Sequence, residues 1–302
     1  VRKTVFLDYT QEELDRAYDQ RVWARNVEDL LAVWRDAVAP ARAGVPHYAE
    51  RAYGDSPSER LDVYAGTGTG CPVHIHVHGG AWRSQSKDDG ALLARSMVAS
   101  GMQFVVPDFD LLPAVRMPRM VDQLARAVAF VHAHAEGFGG DPDKIILSGH
   151  SSGAHLAAVL ATLDWSAYGL PADVVKALVC ISGAYDLEAV LVSARRTYIE
   201  LDSEEADRLS APRHAARIPC PTWVLWGEHE SPDFIRQGES FAAALEAAGR
   251  LAGARLVPGL NHFEMCAAIA DAHSPVHAAI LDALARTTAR ESAQRPARAH
   301  GT

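Results

Sequence analysis

Cysteine is scarce in this chain: Cys71, Cys180, Cys220 and Cys266 are far apart among 302 residues and form no CxxC pair. That spacing excludes a disulfide framework and predicts free thiols in a reduced cytoplasm. Long apolar runs are missing too, so no stretch is written as a membrane span. The amino-terminal VRKTVFLDYTQEELDRAYDQ has basic residues but no apolar core of signal-peptide length. Nor is there a Lys/Arg-rich run, and the net charge of −9 argues against a nucleic-acid partner. The expectation is a soluble, cytoplasmic protein with no membrane or nucleic-acid partner. No internal repeat is visible.

The chain has 48% hydrophobic and 22% charged residues, enough to bury one large core. Thr10 and Glu13 form a capping-box pattern, opening a helix through the Asp15–Arg21 region, and a second helix is predicted over Val27–Ala37. Both precede the first strand signal and are expected to form a cap. From Glu59 onward short β-rich runs alternate with longer helical ones. Strands are predicted at Arg60–Tyr64, Val73–Val77, Phe104–Pro107, Ile145–Ser148, Ala177–Ile181, Thr222–Trp226 and Arg255–Val257. Helices are predicted at Ala91–Ser100, Met117–His134, Gly153–Leu163, Ile235–Ala248 and Pro275–Thr287. This alternation predicts a doubly wound, mostly parallel α/β sheet. A helical, charged insertion near residues 188–217 would add a second piece of cap. One domain over residues 1–288 is expected, with residues 1–50 as cap helices. The tail 289–302 is expected to be disordered.

Gly149-His150-Ser151-Ser152-Gly153 follows the apolar strand Ile145–Ser148 and runs directly into the apolar helical stretch Ala154–Leu163. This is G-x-S-x-G in the strand–turn–helix setting that gives the motif meaning, with Ser151 as candidate nucleophile. The small flanking residues avoid clashes in a strained turn, and the Ser152 amide lies where an oxyanion would form. By itself the motif also fits an ordinary turn or a phosphate-binding loop. Upstream, Val73–Val77 ends in His78-Gly79-Gly80-Ala81-Trp82, where the Gly79 and Gly80 amides complete a candidate oxyanion hole. His74, His76 and His78 share one face of that strand, which would suit a metal-dependent hydrolase, but further ligands have no evident placement and no metal is expected.

Chain order places the catalytic histidine after the last strand and the acid after the strand before it. His262, in the loop Pro258–Phe263, fits the first requirement; His273 and His277, in or beside the next helix, are expected to face solvent. After Thr222–Trp226 come three carboxylates, Glu228, Glu230 and Asp233. Glu230 is the preferred acid, with Asp233 the alternative and a helix N-terminal role open to it. Trp82, Phe109, His155, Tyr185 and Phe263 lie near the motifs as candidates for a substrate pocket, although each also suits ordinary core.

HGGAW, GHSSGAHL, PDFDLLPAVRMPRMVDQLARAVAFV, SGAYDLEAV, ESPDFIRQ and NHFE together resemble the arylformamidases (kynurenine formamidases), over most of residues 59–269. The resemblance implies an α/β-hydrolase fold and hydrolysis of N-formyl-kynurenine to kynurenine and formate without metal or organic cofactor. It puts the family serine on Ser151 and the histidine on His262. The family acid, an aspartate in a D-S-P-E-F stretch, falls on Glu230, and the family's HGGYW reads HGGAW here, which removes a ring beside the acyl or aryl pocket. The expected reaction is two-step acyl transfer on a small-molecule substrate. A carboxylesterase is the alternative, and a non-catalytic binding protein is the third reading. A homodimer would be an ordinary state for such an enzyme.

Overall fold

The computed structural model describes residues 3–294, with side chains to residue 288. Eight strands form one sheet: β1 (His47–Ala52), β2 (Arg60–Ala65), β3 (Cys71–Val77), β4 (Gln103–Pro107), β5 (Gly140–His150), β6 (Val175–Ile181), β7 (Thr222–Gly227) and β8 (Leu251–Val257). Their order is β1-β2-β4-β3-β5-β6-β7-β8. The β1–β2 and β2–β4 pairings are antiparallel and all the others parallel. All seven predicted strands are present.

The strand missed from sequence is β1. Its residues, HYAERA, are mostly exposed and pair only with β2 at the sheet edge. An edge strand with so little burial carries neither an apolar run nor a clean alternation.

The central strands are covered on both faces. Ile145 and Leu147 of β5 belong to one buried cluster and Ile146 between them to the other, as the two-residue period of a strand requires. From β3 the chain passes to β4 on one side, and from β5 it passes to β6 on the other. β3 and β5 therefore flank the topological switch point, where a crevice opens beyond the carboxyl ends of the strands. Val77 is paired with Gly149, so the HGGAW and G-x-S-x-G segments leave the sheet side by side.

The helices are α1 (Gln11–Ala17), α2 (Val27–Ala43), α3 (Ala91–Ala99), α4 (Met117–His134), α5 (Ser152–Leu160), α6 (Leu187–Val192), α7 (Ser203–Arg208), α8 (Pro232–Ala247), α9 (His262–Ala267) and α10 (Pro275–Gln294). The Thr10–Glu13 capping box is formed at α1. Helix α8 starts three residues before its predicted start because Ser231 caps it and Pro232 occupies its first turn. Helix α2 continues through Pro40 to Ala43. The backbone of α10 is helical to Gln294, and the rest of the expected tail lies outside the described residues. Among the described residues no helix is long and apolar enough to cross a membrane.

The N-terminal segment is tied to the loops beyond β7 and β8. Tyr18 Oη donates to Asp233 Oδ2 (2.7 Å), and Gln20 Nε2 donates to Ser231 Oγ (3.0 Å). Asn26 Nδ2 donates to Glu264 Oε1 (2.7 Å), and Trp34 packs 6.3 Å from Phe263.

Candidate active site

Ser151 stands between β5 and α5 with φ +57° and ψ −125°, a conformation that is costly for any residue bearing a Cβ. Its N–H donates to Ile181 O of the neighbouring strand (2.9 Å), which holds the turn. The flanking glycines are required by space. A Cβ at Gly149 would lie 2.2 Å from Gly153 O, and one at Gly153 would lie 2.1 Å from Val77 O. β3, β5 and α5 thus meet too closely for side chains, and that closeness pushes the serine outward.

His262 is the first residue of α9, just after β8. Asn261 caps that helix, accepting from the Phe263 and Glu264 amides, while Glu264 closes a capping box. This Asn-x-x-Glu box, not singled out from sequence, fixes the helix turn that carries the histidine. The ring lies between Ser151 Oγ, 2.9 Å from Nε2, and Glu230 Oε1, 2.9 Å from Nδ1. All three side chains are buried.

Geometry separates the three carboxylates beyond β7. Glu230 meets the histidine. Asp233 is fully buried, accepting from Tyr18 Oη and from Arg236 Nε (2.6 Å), and so belongs to the joint between α1 and α8. Glu228 Oε2 accepts from the Gly259 amide (2.8 Å) at the exposed rim.

Burial is the largest influence on both ionisable members. It pushes Glu230 up to about 7, against the nearby Ser182 hydroxyl, His150 and the Gly227 backbone. Ser182 Oγ is close enough to favour the carboxylate without forming a well-aligned hydrogen bond. Burial, with Arg195 second, lowers His262 to about 3. The direct Nδ1–Oε1 contact acts in the opposite sense, favouring a carboxylate beside the ring. A neutral imidazole able to accept a proton from Ser151 is the outcome. His150, whose ring centroid is 4.7 Å from that of His262, bonds the His262 carbonyl through Nε2 (2.8 Å) and is itself held neutral by burial.

The HGGAW loop curls over Ser151. Gly80 has φ +99°, and a Cβ there would lie 2.0 Å from Ser84 O. Ala81 (φ +53°) and Trp82 (φ +62°) continue the left-handed turn. Trp82 N–H donates to Ser152 Oγ (3.1 Å), which docks the loop on α5. Among the described hydrogen bonds no protein acceptor takes the Gly80 or Ala81 amide. Backbone amides beside a nucleophile in this arrangement can stabilise developing negative charge.

A cavity of about 650 Å³ opens above Ser151 and His262. Its walls include Gly80, Ala81 and Phe263 from the hydrolase core. Tyr18, Gln20 and Trp34 come from the N-terminal segment, and Arg195 and Tyr198 from the 188–217 insertion. Both segments expected to cap the site therefore reach it.

Of the five side chains expected to form the pocket, only Phe263 lines this cavity. The other four are corrected to core. Trp82 Nε1 donates to His155 Nδ1 (3.2 Å), and His155 Nε2 donates to Leu209 O (2.7 Å). Phe109 stacks on His78 at 4.5 Å, and Tyr185 packs on Phe241 at 4.5 Å. The polar atoms of Trp82, His155 and Tyr185 are satisfied inside the protein, and Phe109 is buried, which is why proximity in sequence misled. His277 is likewise buried, bonding Ile269 O, whereas His273 is exposed as expected. His74 and His76 both bond Ser148 Oγ (2.6 and 2.8 Å), while His78 faces Asp108. Among the described residues no group of three His, Cys, Asp or Glu side chains is arranged to hold a metal ion. The wall residues Tyr18, Trp34, His150 and Arg195 were not singled out from sequence. Only His150, inside the motif, had a local signal.

A sheet with this order, a strained serine after its central strand and a histidine after its last define an α/β-hydrolase. The BD-FAE family model matches residues 61–209. The kynurenine formamidase of Salmo salar is 28% identical over 87% of this chain and 93% of its own length. Esterase LipC of Mycobacterium tuberculosis is 29% identical over 78% of this chain and 66% of its own length. Among solved structures, a protein of Silicibacter sp. tm1040 assigned as a thioesterase superposes with a TM-score of 0.77. It is 26% identical, with 89% of this chain and 99% of that one covered. The chain is a kynurenine formamidase-like α/β-hydrolase.

Proposed function

We propose that the protein is a serine hydrolase that cleaves an aryl formamide, of the N-formyl-kynurenine kind, through an acyl-enzyme. The observation that carries this reading is the hydrogen-bonded chain Ser151–His262–Glu230 on the floor of the cavity.

In the proposed mechanism His262 Nε2 takes the Ser151 proton as Oγ attacks the formyl carbon. Glu230 holds the Nδ1–H tautomer and balances the imidazolium. The amides of Gly79, Gly80 and Ser152 receive the oxyanion. His262 then protonates the departing amine. Water, deprotonated by the same histidine, releases formate and restores the Ser151 hydroxyl. No metal or organic cofactor enters these steps. Four cysteines outside any disulfide suit the reducing cytoplasm in which we place the enzyme.

A carboxylesterase is the second reading, favoured by Ala81. A methyl group on the cavity wall leaves space for an acyl group larger than formyl, and the esterase LipC resembles most of this chain. Rates on N-formyl-kynurenine and on short-chain aryl esters, measured side by side, decide between them. Labelling of wild type but not of Ser151→Ala by a fluorophosphonate tests the nucleophile. Unchanged turnover in Ser151→Ala would overturn both readings.

A further inference from the structure

Arg195 has no use in the mechanism above. It lies in the short turn Ala194–Thr197, is 8% exposed, and lines the same cavity as Ser151 and His262. Among the described residues no carboxylate forms an ion pair with it. Its one described side-chain hydrogen bond runs from Nη2 to the Tyr18 carbonyl (2.9 Å). Three rings surround the guanidinium, with centroids 5.2 Å (Tyr18), 5.4 Å (Trp82) and 5.8 Å (Phe234) from its central carbon.

A guanidinium removed from water without an anion is expensive, and aromatic faces offset only part of that cost. It carries five N–H donors in a fixed fork that matches a carboxylate, and one of the five is taken. The nearby acids are otherwise engaged: Asp15 accepts from Gln11 Nε2 (2.8 Å), and Asp19 accepts from the Arg21 amide (3.2 Å). Arg83, stacked 4.4 Å over Tyr198, adds a second cation to the same wall.

From this placement we infer that Arg195 is a specificity determinant that binds a carboxylate on the leaving-group part of the substrate. The inference rests on the hydrolase reading above and narrows its substrate class to acidic aryl formamides or esters. The chemistry is unchanged: water cleaves the acyl bond, the acyl group leaves as its acid, and the amine or alcohol departs with its carboxylate still held. A structural strut between Tyr18 and the insertion would explain the Tyr18 contact but would show no dependence on substrate charge.

The test compares kcat/KM on ortho-, meta- and para-formamidobenzoates with that on the corresponding neutral carboxamides. Wild type should favour the acid of at least one isomer by about 30-fold, the lower end of what a buried charge-assisted pair contributes. Arg195→Met, which keeps an apolar stem against the rings, should bring that ratio to about one, and Arg195→Lys should restore part of it. No acid preference in any isomer, or a ratio that survives Arg195→Met, overturns the inference. If Arg195→Met does not fold, wild-type inhibition by aminobenzoates against aminobenzamides gives the same comparison, and equal inhibition overturns it. Fluorophosphonate labelling of wild type separates the two levels. A labelled enzyme indifferent to substrate charge refutes Arg195 alone, whereas an unlabelled, inactive one refutes the hydrolase reading itself.

Discussion

Lowering the pH from 7 to 5 should unfold this protein, because it buries histidines in their neutral form. Burial holds His74, His150 and His262 at about 3 and His155 at about 4, and lowers His76 in the same direction. The hydrogen bonds of His155 show why a second proton is refused. His155 accepts from Trp82 at Nδ1 while donating to Leu209 at Nε2, so a second proton has no place. In the unfolded chain each histidine titrates near 6.5. As the pH falls below that value the unfolded state takes up protons that the native state refuses, and stability falls. At about 1.4 kcal/mol per pH unit, each of the four histidines costs about 2 kcal/mol by pH 5, together about 8 kcal/mol. Glu230 has the opposite sign: raised to about 7, it is protonated first in the native state. At most it returns about 2 kcal/mol over the same interval. The net loss of about 6 to 8 kcal/mol is comparable to the whole stability of a typical domain. Urea denaturation followed by tryptophan fluorescence at pH 7.5, 6.5, 5.5 and 5 measures it. His155→Gln, which can still donate and accept, should reduce the pH slope by about one proton. Stability constant to within about 1 kcal/mol between pH 7 and 5 would refute the reasoning.

The same protonation equilibria bear on catalysis. Because His262 is lowered while burial raises Glu230 to about 7, kcat/KM of the folded enzyme should fall below about pH 7 through protonation of Glu230 and not of the histidine; a pH–rate profile with a stability control checks this, and a profile flat down to acid unfolding would refute it. Glu230→Gln should lower kcat by about 10³- to 10⁴-fold through loss of the tautomer, with urea midpoints reporting that the fold is kept. Asp233→Asn should instead leave Arg236 without its buried partner, costing about 3 kcal/mol in urea unfolding, while kcat per folded molecule changes less than about threefold. A Gly80→Ala chain would place a methyl against Ser84 O at a positive φ, so turnover should fall about 100-fold or more as the loop shifts; undiminished kcat would dissociate that loop from the chemistry.

What the sequence made legible follows local chemistry. Ser151, His262 and the seven core strands could be read because G-x-S-x-G, the last-strand rule and apolar strand runs are properties of a few adjacent residues. The 149–153 glycines are explained by a meeting of three elements, yet the demand for small residues is written locally. Choosing Glu230 over Asp233 was different. Both carboxylates follow the same strand three residues apart, and what separates them is Tyr18, more than 200 positions away. The pocket was least legible for the same reason. Trp82 and His155 belong to the best-defined motifs but satisfy each other's polar atoms in the core.

Arg195 is the converse case, a residue in no motif that reaches the reacting groups because the insertion folds back over them. Its placement also explains an otherwise odd feature of the N-terminal segment. Tyr18 gives its carbonyl to Arg195, its ring to the guanidinium face and its hydroxyl to Asp233. One side chain thereby connects α1 to the insertion on one side and to the loop bearing Glu230 on the other. Tyr18→Phe keeps the first two contacts and removes the third, leaving the Asp233 carboxylate with Arg236 alone. If this joint sets the cavity wall, the variant should raise KM for the preferred acidic substrate more than it lowers kcat. A fall in kcat alone would instead mean that the Asp233 contact acts through Glu230 and not through the wall.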